Sequence, residues 1–132
     1  MLLPKQAIIL AREASKTLER LGDTLEHGHC LLELAAALHK DGQLDATKTT
    51  VLHTIDLLSG IKGAEYRVSN SHSTLAEMYF SRDEREKAHD RLKIALGIAS
   101  SFNWGNELFW IHYILAELFL CTKFYVPLSC RL

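Results

Sequence analysis

Apolar residues recur at spacings of three and four along almost the whole chain, the period that places side chains on one face of a helix. The first series is Ala7, Leu10, Ala11, Ala14, Leu18 and Leu21, with Lys5, Arg12, Glu13, Lys16 and Glu19 between them. Gly22 and Asp23 stop it. A second helix is predicted from about Thr24 to Lys40 on Leu31, Leu34, Ala35 and Leu38, with Gly42 as a left-handed turn position. A third begins near Asp45, carries Val51, Ile55 and Leu58, and ends before Gly60. A fourth runs from about Glu65 to Phe80, a fifth from about Arg82 to Ser101, and a sixth, the most aromatic, from about Gly105 to Thr122. Pro127 discourages continuation into the VPLSCRL tail. No alternating strand pattern extends beyond a few residues, so the expected class is all-α.

These helices answer to one another. A step of 41 residues carries Leu34, Ala35 and Leu38 onto Leu75, Ala76 and Tyr79, and a further 40 carries Leu75, Ala76, Glu77 and Tyr79 onto Leu115, Ala116, Glu117 and Phe119. The remaining helices obey the sum of the two steps, since Ala7, Ala14 and Leu21 lie 81 residues before Ala88, Ala95 and Phe102. Small residues at Ala35, Ala76 and Ala116 allow close approach of neighbouring helices, and the larger residue three positions on fills the space between turns.

On Leu75, Ala76, Tyr79, Ala88, Leu92 and Ala95, and more weakly on Leu34, Ala35, Leu38 and Val51, the pattern resembles the tetratricopeptide repeat family. Thr47 stands where the family prefers a small alanine. The resemblance implies antiparallel helix hairpins stacked as a short right-handed solenoid. Residues 1–126 would then form a single domain: the second helix of a partial repeat, two full hairpins and the first helix of a last repeat, followed by a tail at 127–132. The period exceeds the roughly 34 residues of the basic repeat, so the likeness is to members with extended helices, and HEAT or armadillo units of about 40 to 47 residues are the architectural rival.

The resemblance also implies a concave groove for a peptide or protein segment. Its family-matched positions are His29 and His39, with Lys40 beside them; then Asn70, Ser73, Glu77 and Phe80; then Trp110, Tyr113 and Glu117. Aromatic side chains there offer large contact area with little conformational entropy to lose. Family members that grip a C-terminal carboxylate use basic and asparagine side chains at such sites, and Ser73, Glu77 and Glu117 depart from that clamp. The expected function is therefore a protein-interaction scaffold. The alternative is a self-associating module. Apolar residues surround almost every side of the sixth helix, which predicts a homodimer contact through Phe109, Ile111, Leu118, Val126 and Leu128, with Leu115 and Ala116 packed inside the subunit.

Composition narrows the remaining classes. The 132 residues are 48% hydrophobic, enough for one cored domain, and a formal charge of -1 removes the simplest electrostatic case for nucleic acid or an anionic membrane as partner. Three cysteines without CxxC spacing argue for a reducing, intracellular and cytoplasmic setting. HGHC at 27–30 contains metal-capable atoms, but consecutive helical residues point in different directions and no matching pair follows, so no metal is expected. Cys30 within CLLELAAAL reads as a small core group rather than a nucleophile. The SRDEREKAHDR run is a solvated face, and no phosphate-binding glycine loop is present, so neither an enzyme nor a cofactor is expected.

Overall fold

A computed structural model describes residues 3–123, with side chains through Ala116. Among the described residues the secondary structure is entirely helical: α1 Pro4–Leu21, α2 Thr24–Lys40, α3 Leu44–Leu58, α4 Glu65–Ser81, α5 Arg85–Phe102 and α6 Gly105–Lys123. The predicted tail at 127–132 lies outside the described residues.

The helices start with a near-constant step. The carbonyls of Leu3, Asp23, Gln43, Ala64, Glu84 and Trp104 accept from the N–H four residues on, so successive starts are 20, 20, 21, 20 and 20 residues apart. The offsets of 41, 40 and 81 in the sequence are sums of these steps, the extra residue falling in the link between α3 and α4.

Four of the links share one construction. Gly22, Gly42, Asp83 and Asn103 take positive φ of 74°, 80°, 62° and 55°. Each donates its N–H to the carbonyl three residues back, and the next residue donates to the carbonyl five residues back, as in Asp23 to Leu18 and Glu84 to Tyr79. This is the Schellman closure, which satisfies carbonyls left open at the helix end. The residue that completes it starts the next helix. At Asp23 the side chain also accepts from Glu26 N–H at 3.2 Å. The predicted start of α5 at Arg82 moves to Arg85 for this reason: Arg82–Glu84 are spent on the closure around Asp83.

The chain divides into two compact units, Met1–Ser71 and His72–Leu132, with α4 carrying the boundary. In the first unit α2 packs against both α1 and α3. Ile8, Leu31, Leu34, Ala37 and Leu38 form its core, with Ala7, Ala11, Ala46 and Leu57 packed against them. The α1–α2 pair is antiparallel, since Ser15 meets His27 while the earlier Ala11 meets the later Cys30. In α3 the hydroxyls of Thr47, Thr49, Thr50 and Thr54 each donate to the carbonyl four residues back, so Thr47 and Thr54 are buried with their polar atoms satisfied. That accommodates Thr47 at the site Ala88 fills in α5.

In the second unit α5 packs on α6, and α4 runs antiparallel to α5, with His72 against Arg91 and Tyr79 against Lys87. Leu75, Ala76, Tyr79, Ala88, Leu92, Ala95 and Ala99 are buried, as the helical pattern implies. The sixth helix departs from the expectation that Leu115 and Ala116 would turn inward. Ile111 and Ile114 are buried there, Leu115 is half-buried and Ala116 is exposed. A helix apolar nearly all round does not mark its own inner face.

Candidate functional site

Trp110 and Tyr113 stand one turn apart on α6, so their side chains rise from the same side of the helix. Their rings stack with centroids 5.7 Å apart and planes 15° from parallel. The Trp110 indole N–H donates to Glu77 Oε1 on α4 at 3.2 Å. Both rings remain about half exposed, 46% and 50%, and Glu77 is exposed as well. The second unit thus holds a flat aromatic surface tied at one edge to a carboxylate. Phe109, 70% exposed, extends the apolar area on α6. Phe80 is half-buried, whereas Ser73 is buried, and its hydroxyl has no hydrogen-bond partner among the described residues.

The other family-matched residues lie in the first unit. His29 is exposed, and its Nδ1 accepts from Arg67 Nη2 at 3.3 Å, while Glu33 Oε1 lies 3.6 Å from Nε2. His39 and Lys40 are exposed in the last turn of α2, about 15 Å along the helix from His29 at the helical rise. Asn70 is half-buried on α4. Glu117 belongs to α6 but lies outside the residues whose side chains are described, as does Leu118; Val126 and Leu128 lie outside the described residues altogether. Of the residues expected at a dimer contact, Phe109 is exposed and Ile111 is fully buried inside the chain.

Three polar features had no clear signal in the sequence. Arg67 meets His29 across a separation of 38 residues, which no local spacing announces. His72 is buried and accepts from Arg91 Nη1 at 3.3 Å through its Nδ1. Burial first, and the Arg91 charge second, lower its pKa from 6.5 to about 4, so the ring is neutral at ordinary pH. Glu107, in the first turn of α6, is buried, and its Oε2 has no partner among the described residues.

The HGHC segment divides rather than converges. His27 is buried against Ser15 Oγ at 2.9 Å, and His29 faces Arg67. Cys30 donates to the Ala11 carbonyl at 3.3 Å, and burial, reinforced by Glu33, raises its thiol pKa and disfavours the reactive thiolate. No set of three metal-capable side chains converges among the described residues. No described helix is long and apolar enough to cross a membrane. No family model, curated protein or solved structure matches the chain.

Proposed function

We propose that this chain is a helical-repeat interaction module, tetratricopeptide-like in its hairpins, that takes a peptide or protein segment on the α4–α6 surface of its second unit. The observation that carries the reading is the half-exposed Trp110–Tyr113 stack held by Glu77. Rigid aromatic rings with one wet face supply contact area at low entropic cost, the usual character of an interface anchor. The regular helix starts support the repeat part of the proposal, because a structural unit reused at a fixed step along the chain is the mark of a repeat architecture. Panning a random peptide library against the folded chain tests it. Selected peptides are expected to lose at least about tenfold in affinity, roughly 1.4 kcal/mol, in a Trp110→Ala, Tyr113→Ala variant of unchanged helicity. Affinity indifferent to both substitutions overturns the site.

A second reading is self-association through α6, favoured by the exposure of Phe109 beside the same two rings. In that reading another copy covers the aromatic face, and the buried Ile111 has no part in the contact.

A further inference from the structure

The aromatic surface lies beside the exposed Glu77 carboxylate, which has no ion-pair partner among the described residues. Glu77 receives the Trp110 indole N–H on Oε1 alone, so the carboxylate keeps acceptor capacity on Oε2. Of the four basic side chains of α5, Arg85 pairs with Asp83 at 2.9 Å, Lys87 pairs with Glu84 at 3.0 Å and Arg91 hydrogen-bonds His72 at 3.3 Å, and neither these nor Lys93 forms an ion pair with Glu77. An occupant of this surface is therefore favoured if it is flat enough to lie on a ring and positively charged. A guanidinium meets both requirements: its plane stacks on tryptophan and tyrosine faces, and its N–H fork matches a carboxylate. An ammonium group offers the charge without the plane.

We infer that the α4–α6 surface selects an arginine side chain of its partner segment, the guanidinium lying on the Trp110–Tyr113 rings with its N–H groups turned toward Glu77. This rests on the reading of that surface as a binding site and adds the chemistry of what it binds. The chain contains two tryptophans, so an indole N–H resonance reports Trp110 directly, with Trp104 as an internal control and Trp104→Phe to assign the pair. The probes are the peptide acetyl-Gly-Gly-Arg-Gly-Gly-amide and its citrulline counterpart, which keeps the shape and loses the charge.

The expected result is a shift of the Trp110 signal that rises toward saturation with the arginine peptide at tens of millimolar, of the order reached by one cation–π contact and one exposed ion pair. The citrulline peptide should bind at least about fivefold more weakly, and Glu77→Gln, which keeps an oxygen acceptor for the indole, should weaken the arginine peptide by a similar factor. Tyr113→Leu, a change at a half-exposed site, should also weaken it and serves if Glu77→Gln loses helicity. A Trp110 signal unmoved by the arginine peptide, or moved equally by citrulline, overturns the inference. Either result leaves the binding surface standing if library-selected peptides still depend on Trp110 and Tyr113, so the two failures are distinguishable.

Discussion

Gly28 sits in the second turn of α2, where alanine would ordinarily gain about 1 kcal/mol of helix propensity. The local gain loses here. A Cβ at this position would fall 2.6 Å from both Leu58 methyl carbons, and Leu58 is fully buried, so its side chain has little space into which to turn. Overpacking of this kind costs about 1 to 3 kcal/mol. Gly28→Ala should therefore lower the urea midpoint, with a net loss of about 1 kcal/mol in unfolding free energy, and Leu58→Ala in the same chain should relieve part of the clash. A raised midpoint in the single variant would show that Leu58 has room. His72 supplies a pH dependence at the same scale. The folded ring resists protonation until about pH 4, whereas the unfolded ring takes a proton near 6.5, so stability is unaffected above that range and falls as pH drops through it. The loss attributable to His72, on the order of 2 kcal/mol with allowance for residual solvent contact, levels off below about pH 4. His72→Gln keeps an acceptor for Arg91 and should flatten this part of the stability profile; identical wild-type and variant slopes between pH 6.5 and 4 would deny His72 the role.

At the scale of elements, the Schellman links set the helix spacing. Gly42 has φ of 80°, and no atom lies near a Cβ added there, so any cost of Gly42→Ala comes from the backbone rather than from a clash. The left-handed region costs a residue with a Cβ about 1 to 2 kcal/mol, and thermal denaturation should register a loss of about that size. Asn103 occupies the same region at φ 55°, so Asn103→Gly should be neutral or stabilising by a few tenths of a kcal/mol. If Gly42→Ala were harmless while Asn103→Gly cost stability, the two links would not share the energetics that their geometry implies. The common construction was only partly visible in the residues. Gly22 and Gly42 mark their links plainly, but Asp83 sits within a charged run that reads as continuing helix, which is why the start of α5 is placed three residues early from periodicity alone.

For the whole molecule, the question is what covers the exposed rings of α6. Under the self-association reading, light scattering should show a mass that rises from low to high micromolar concentration, and Phe109→Glu should return it to the monomer value. A monomer throughout that range rejects a stable dimer. A dimer insensitive to Phe109→Glu with intact helicity would locate the contact elsewhere. The interaction-module reading instead expects the rings to remain available in the monomer, so the same measurement weighs the two.

What the sequence determined by itself is local. The helical period, the stops at Gly22 and Gly42, and the inward positions of Leu34, Leu75, Leu92 and Ala95 follow from side-chain shape and spacing along one helix. Tertiary structure decided everything in which a polar or ambiguous residue needed a distant neighbour. Counted from the residue whose carbonyl opens each helix, the fourth positions of α2 to α5 are His27, Thr47, Val68 and Ala88, and the eighth are Leu31, Val51, His72 and Leu92, all buried. No hydropathy pattern equates histidine with leucine. His27 is satisfied by Ser15 and His72 by Arg91, so burial there depends on partners from other helices. The inner face of α6 was likewise undetermined while leucine, isoleucine, phenylalanine and tryptophan occupied nearly every side. Packing turned Ile111 and Ile114 inward and left Trp110 beside Glu77, a pairing across 33 residues that neither helix encodes alone.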